Sequence, residues 1–258
     1  MSQRVVILGA GTALPDRDRD NTSLVWDSPA GGLLIDCGGR AYQQLLRADI
    51  DPKSLRGVLL THNHTDHIYG LPALLFHLWL AQYPGTFDVY ANTSTLSMAR
   101  RLVDALELEQ HGQMCATAWH ELPETIDHQV LTIDAYTIST TPVRHSRPTL
   151  AVKIVDHERQ QTLVYSADTE PCSELEQFAQ GAHTLIHEAT VTDPVNNYTH
   201  TTPRQAGEIA ARCGVRRLAL IHFSAEYTEP EEQAIAEVRA GGFTGDASVA
   251  RELESYSL

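Results

Sequence analysis

Short blocks of aliphatic residues recur along the chain, and polar or turn-forming residues bound each block. Residues 5–8 form an apolar run that enters Gly9-Ala10-Gly11, the pattern of a buried strand meeting a tight turn. Residues 23–26 and 33–36 predict two further strands, joined by a turn at Ser28-Pro29-Ala30-Gly31-Gly32. Residues 41–48 have helical spacing, and 57–60 predict a buried strand that ends at Thr61-His62. The stretch 71–83 is apolar at helical spacing and is stopped by Pro84-Gly85. A strand at 87–90, a helix at 93–108 and one alternating strand over 130–140 follow. Residues 149–155 and 162–166 predict a hairpin. Strands at 184–187 and 218–221 then alternate with helices at 203–212 and 230–240, the first with proline in its opening turn. Hairpins and strand–helix alternation in one chain predict an α/β sandwich, sheets packed together under helices, in a single domain over 1–258.

Composition narrows the classes. The chain has 258 residues, 42% hydrophobic and 20% charged, which excludes wholesale disorder. No apolar run approaches the ~18 residues of a membrane span. The apolar N-terminal stretch reads as a first strand and not as a signal peptide, so a cytoplasmic location is expected. Cys37, Cys115, Cys172 and Cys213 are scattered with no CxxC, and are expected to be reduced, buried and inert. Nineteen Lys and Arg stand against 33 Asp and Glu, a net charge of −14. That balance argues against a polyanion bound over a wide surface, because such binding is driven by Lys and Arg displacing counterions. It leaves room for a small phosphorylated substrate held by a few local groups. Gly9-Ala10-Gly11 does not make a dinucleotide fingerprint: Leu14 occupies the place of the third glycine, and Pro15 follows where a helix should begin.

The 13 histidines are clustered. The densest cluster is Thr61-His62-Asn63-His64-Thr65-Asp66-His67, after a predicted strand and before a predicted helix. In extended backbone His62 and His64 project to one side, and Asp66 and His67 can face a second point. Imidazole nitrogen and carboxylate oxygen are the donors that zinc and similar metals accept. The pattern H-x-H-x-D-H arises by chance in only about one chain of this length in six hundred, so it is read as a metal motif.

This segment resembles the metallo-β-lactamase superfamily. The resemblance implies a four-layer αββα sandwich and a site for two divalent metals, zinc first, with manganese or iron as alternatives. It also implies the remaining ligands: His145 in Pro142-Val143-Arg144-His145-Ser146, Asp168 after 163–167, and His222 after 218–221. One ion would take His62, His64, His145 and Asp168, the other Asp66, His67, His222 and the shared Asp168. A hydroxide bridging the two would be the nucleophile, since metal binding brings the pKa of water from 15.7 toward about 7.

Outside that shell, His187-Glu188-Ala189-Thr190 and His200-Thr201-Thr202 resemble the HEAT and HST elements of the ribonuclease Z branch. Leu8-Gly9-Ala10-Gly11-Thr12-Ala13-Leu14-Pro15, followed by Asn21-Thr22-Ser23, resembles its opening strand and loop. The resemblance implies a phosphodiesterase in which His200 donates a proton to the leaving oxygen and Glu188 holds its other ring nitrogen and keeps it cationic. Asp66 would accept a proton from the attacking water. Members that bind tRNA carry a long arm between the third histidine ligand and the bridging aspartate. Here only the 22 residues 146–167 lie between His145 and Asp168, a hairpin's worth. The expected substrate is therefore a small or cyclic phosphodiester or a short oligonucleotide. 3′ processing of tRNA is the alternative, and an ester, lactone or thioester hydrolase of the same superfamily the second alternative. Arg144 and Arg147 flank His145 and are candidates for a substrate phosphate. No membrane partner is expected, and a homodimer is the state common among relatives.

Overall fold

The computed structural model describes residues 3–190, 199–223 and 231–258. Pro230, expected to open the last helix, lies outside them, as does the start of the N-terminal run at Met1. The described chain forms two compact units, one of residues within 1–13, 17–123 and 251–257, the other of residues within 14–16, 124–250 and 258.

The first unit holds a seven-stranded mixed sheet. Its strands are β1 (Arg4–Gly9), β2 (Ser23–Asp27), β3 (Gly32–Ile35), β4 (Leu55–Leu59), β5 (Thr86–Asn92), β6 (Ala116–Leu122) and β14 (Ser255–Ser257), ordered β14-β1-β2-β3-β4-β5-β6. The pairs from β14 to β3 are antiparallel and those from β3 to β6 parallel. Helices α1 (Ala41–Arg47), α2 (Thr65–Ile68), α3 (Leu71–Leu80) and α4 (Thr93–Ala105) belong to the same unit. Val6, Leu8, Val25, Leu34, Val58, Phe87, Val89 and Ala91 share one buried cluster with Leu45 of α1, Leu71, Leu74, Leu75 and Leu78 of α3, and Leu96 and Ala99 of α4. Spacing by two within a strand places these side chains on one face, which the helices cover.

The second unit repeats the plan. Its sheet runs β13-β12-β11-β10-β9-β8-β7, built from β7 (His128–Ile133), β8 (Tyr136–Val143), β9 (Thr149–Asp156), β10 (Gln161–Tyr165), β11 (Thr184–Glu188), β12 (Arg217–Ile221) and β13 (Asp246–Val249). β7 to β10 pair antiparallel, β10 to β13 parallel. Leu175 and Phe178 of α5 (Ser173–Ala179), Ala206, Ile209 and Ala210 of α6 (Pro203–Cys213), and Ala234 and Val238 of α7 (Glu231–Ala240) pack with Val164, Leu185, Leu218 and Leu220. A β-carbon at Gly207 would collide with the carbonyl oxygen of Val238, so glycine there lets α6 and α7 approach closely.

The predicted α/β class holds, and most predicted strands and helices stand within a few residues of their places. Residues 130–140 depart from expectation. They are not one strand but the hairpin β7–β8, with Ile133 opposite Tyr136 and Asp134 at φ +52° in the two-residue turn. Aspartate tolerates that left-handed backbone, and the tight turn keeps the apolar alternation nearly unbroken. Strands β6, β13 and β14 and helix α5 were not predicted. β6 lies at a sheet edge with only Leu122 buried, so it lacks the apolar signature of a buried strand. The short segment 146–167 is the expected hairpin, β9 and β10 joined across 157–160. The four cysteines are free and buried. Burial, reinforced by the neighbouring Asp36, pushes the Cys37 thiol far up, and burial pushes Cys213 up to about 11, so neither is a ready nucleophile. No helix of the described residues is long and apolar enough to cross a membrane.

Candidate metal centre

In the first unit Asp36 and the motif histidines follow the ends of two neighbouring parallel strands, β3 and β4. β3 stops at Ile35, and Asp36 follows in a left-handed conformation, φ +61°. β4 stops at Leu59, and the chain runs through Leu60 to His64 into α2. Asp36 is fully buried and its oxygens are well supplied. Oδ1 accepts the backbone N–H of Thr61 at 2.8 Å, the Thr61 hydroxyl lies 2.9 Å from both oxygens, and Oδ2 is 2.8 Å from Nδ1 of His67. The Thr61 oxygen also stands 3.1 Å from Nδ1 of His62. A carboxylate can only accept, so Thr61 donates to Asp36, and the same hydroxyl oxygen accepts from the ring N–H of His62. His62 and His67 therefore both present Nε2 as the donor atom.

The donor atoms converge. Nε2 of His62 is 3.0 Å from Nδ1 of His64, and Nε2 of His67 is 3.4 Å from Oδ2 of Asp66. Two nitrogens at about 2.0–2.1 Å from one tetrahedral ion stand about 3.3 Å apart, so the 3.0 Å between His62 and His64 is a little short of a metal pair's spacing. The backbone holds the loop in register. Cys37 N–H donates to the carbonyl of His67 at 2.7 Å, and Gly70 N–H to that of Cys37 at 2.8 Å. A β-carbon at Gly38 would run into the carbonyl oxygen of Asp66, so only glycine lets the strand-end loop lie this close to the ligands.

The second unit gathers His145, Asp168, Glu188, His200 and His222. His145 follows β8, Asp168 follows β10, Glu188 ends β11 and His222 follows β12. Ala167 and His222 adopt φ +52° and +58°, a left-handed backbone that non-glycine residues hold only where the surroundings enforce it. Nδ1 of His145 is held by the carbonyl of Thr199 at 2.8 Å, and Nδ1 of His222 by the Thr190 hydroxyl at 2.7 Å. Their Nε2 atoms lie 3.9 and 3.5 Å from Oδ2 of Asp168. One donor atom each of Asp168, His200 and His222 falls within 4.8 Å of the others. Burial lowers the pKa of His145, the direction that favours the neutral, metal-binding ring, against an opposing pull from Asp168.

Glu188 is the counterpart of Asp36. It is fully buried; Oε1 accepts the Thr169 N–H at 2.7 Å and Nδ1 of His200 at 2.9 Å, and Oε2 accepts the Thr190 N–H at 3.2 Å and its hydroxyl at 2.6 Å. The Thr190 hydroxyl thus donates to Glu188 and accepts from His222, as Thr61 does between Asp36 and His62. His200 stacks on His222 with ring centroids 5.6 Å apart and meets His145 edge-on at 5.0 Å. The next two residues pin its loop. Thr201 donates to the Thr169 carbonyl at 2.7 Å, and Thr202 caps α6 in a reciprocal box with Gln205. His187, by contrast, is structural: it is buried, its Nδ1 meets the Glu188 carbonyl at 2.7 Å, and burial lowers its pKa.

Each unit therefore carries part of the candidate ligand set, with nitrogen and carboxylate donors that fit a divalent metal such as zinc. Sequence reading missed Asp36, Thr61 and Thr190, which touch the candidate ligands from behind. Asp36 had a signal, a lone carboxylate closing an apolar strand; the threonines had none. Of the two arginines, Arg144 is engaged by Glu174 at 3.3 Å, and Arg147 lines a cavity beside His145.

Comparisons with known proteins bear on the family and the fold. Residues 32–223 match the profile of the Beta-lactamase superfamily domain. Ribonuclease Z of Mycobacterium bovis is 26% identical over 275 residues, covering 98% of each chain. The crystal structure of the short form of human tRNase Z superposes with TM-score 0.80 at 22% identity over 98% of each chain. A diphosphatase of the PhnP family superposes with TM-score 0.79 at 18% identity, covering 99% of this chain and 98% of that one.

If Asp36 sets the two histidines of the first unit, Asp36→Asn should weaken metal binding by about 10–100-fold while the protein stays folded. A competitive chelator titration reads the affinity and circular dichroism the fold. Unchanged affinity in the folded variant would remove Asp36 from the site.

Proposed function

The chain belongs to the β-lactamase superfamily and has the fold of its metal-dependent hydrolases, and from that premise we propose that it is a phosphodiesterase working with two divalent metal ions. The proposed ligands are His62, His64, Asp66, His67, His145, Asp168 and His222, and the proposed ions are zinc, with manganese or iron as substitutes. When bound, the ions acidify water and offset charge on the phosphoryl oxygens.

The observation that carries the reading is the pair of Glu188 and His200, 2.9 Å apart with the carboxylate fully buried. Cleaving a phosphodiester expels an alkoxide, which needs a proton as the bond breaks. In the protonated ring Nδ1–H donates to Glu188, and Nε2–H is the proton available to the leaving oxygen. Glu188 also fixes the ring plane, because its remaining lone pairs are taken by Thr169 and Thr190. Asp66, nearly buried beside His67, is the proposed acceptor for the proton of the attacking water.

Two substrate readings follow. The hairpin β9–β10 has only 157–160 between its strands, and the net charge is −14. Both features favour a small or cyclic phosphodiester or a short oligonucleotide. The ribonuclease Z relatives, which align over nearly the whole chain, support 3′ processing of precursor tRNA. We place the protein in the cytoplasm, where its four buried cysteines would stay reduced. We also place a second copy on the outer face of α3. That helix has no Asp, Glu, Lys or Arg, Phe76 and Trp79 stack at 5.8 Å, and Trp79 and Leu80 are exposed, so its own side chains bring no like charges to a contact between two acidic chains.

His200→Ala should keep its metal content and lose about 10²–10⁴ in rate, roughly 3–5 kcal/mol of barrier. The loss should be larger on a ribose leaving group than on p-nitrophenolate, which needs little protonation. Loss of metal together with rate would make His200 a ligand instead. Bis-p-nitrophenyl phosphate should be cleaved in a chelator-sensitive reaction and precursor tRNA poorly; efficient trimming of tRNA at physiological salt would select the second reading. Activity confined to p-nitrophenyl acetate or lactones would overturn both. Sedimentation should give a dimer that Trp79→Glu converts to monomer, and a monomeric native protein would remove the α3 interface.

A further inference from the structure

The loop after β8 does more than deliver His145. Arg144, His145, Ser146 and Arg147 line a cavity of about 420 Å³ that Glu124 and Glu170 also border. Its volume lies in the range of small-molecule sites, about 300–1,000 Å³. The loop is tied down: the Arg144 carbonyl accepts from Glu170 N–H at 2.8 Å and from the Thr169 hydroxyl at 3.2 Å, and the Arg147 carbonyl accepts from the Thr149 hydroxyl at 2.9 Å.

The two arginines are not equivalent. Arg144 spends its charge on Glu174, whereas no carboxylate among the described residues lies within ion-pair distance of Arg147. In a chain of net charge −14, an uncompensated guanidinium on a cavity wall is a selective feature. A guanidinium binds phosphate through two parallel N–H bonds. A bare phosphate would also face Glu124 and Glu170. A ligand that joins an anion to hydroxyl or amino donors suits all three groups, with the anion on Arg147 and the donors on the carboxylates. A nucleotide has that chemistry.

We propose that this cavity binds the nucleotide next to the scissile bond, with Arg147 holding its non-scissile phosphate. The inference rests on the phosphodiesterase reading, because His145 belongs both to the cavity wall and to the proposed ligand set. A nucleotide chain whose scissile phosphate meets those ligands would run its neighbouring unit into the cavity. The substrate class is then a nucleotidyl diester with at least one further phosphate, in preference to a simple aryl or alkyl diester.

The test compares a trinucleotide with bis-p-nitrophenyl phosphate, which has no flanking nucleotide, on the metal-loaded enzyme. Arg147→Ala should lower the ratio of kcat/KM for the trinucleotide to that for the aryl diester at least tenfold, mainly through KM. Arg147→Lys should restore part of it, since the charge stays and the fork is lost. A second readout needs no activity: fluorescence anisotropy of a labelled phosphorothioate trinucleotide on chelator-treated protein. There Arg147→Ala should weaken binding and reduce the salt slope of log K by about 0.7, the value of one single-strand phosphate contact. A ratio that does not move, with an unchanged salt slope, would overturn the subsite. If the native enzyme cleaves no diester at all, the phosphodiesterase reading fails, and the binding arm alone decides whether the cavity holds a nucleotide.

Discussion

A carboxylate can stay charged inside a protein only when its lone pairs are filled, because an unpaired buried charge costs several kcal/mol or more. Asp36 and Glu188 meet that requirement in the same way. Each accepts from one histidine directly, His67 or His200, and from a second through a threonine hydroxyl, Thr61 to His62 or Thr190 to His222. Each carboxylate thereby sets the plane and the protonated nitrogen of two imidazoles. The histidines in turn supply part of the hydrogen bonding that lets the charge remain buried. Removing either member leaves the other exposed to the full cost of burial.

The fold makes this arrangement by ending strands side by side. Asp36 follows β3 and the motif follows β4, a parallel pair. Asp168 follows β10, Glu188 closes β11 and His222 follows β12, which are parallel in turn. Parallel strands bring their carboxyl ends to one edge, where loops leaving the sheet can converge. His145 and His200 are exceptions: the first arrives from an antiparallel hairpin and is fixed by the Thr199 carbonyl, the second precedes α6. Left-handed backbone at Asp36, Ala167 and His222 turns the chain sharply as it leaves the sheet. Such conformations persist where hydrogen bonds and packing overrule their cost.

Charge is arranged at two scales. The chain as a whole is strongly acidic, and among the described residues at least eight of the 17 arginines pair with neighbouring carboxylates, as Arg40 does with Asp20 and Arg212 with Glu176. Under the proposed function, attraction for an anionic substrate would fall to the proposed metal ions and to guanidinium groups outside such pairs, Arg147 among them. On the proposed reading that distribution favours a short phosphodiester over a long polyanion, because a small substrate samples local potential and a large one samples the whole surface.

Much of this was legible from the residues. H-x-H-x-D-H concentrates donors within six positions, and His145, Asp168, Glu188, His200 and His222 each stood at a strand end or before a helix. Helix α3 announced itself by its apolar period and the Pro84-Gly85 stop, and α6 by proline at its start. Short-range order is encoded locally, so local pattern reports it. The hairpin at Asp134 and the exposed edge strand β6 escaped because their hydrophobic alternation is continuous in one case and diluted by solvent in the other. Asp36, Thr61 and Thr190 escaped for a different reason. An aspartate at a strand end and threonines in loops are common, and their roles depend on partners brought near by the pairing of distant strands, as Asp36 meets Thr61 and His67 across 25 and 31 positions. Donor type and spacing could be read along the chain; which ring nitrogen of His62, His67, His200 and His222 is held and which is left open was decided only when the sheets paired and buried the carboxylates behind them.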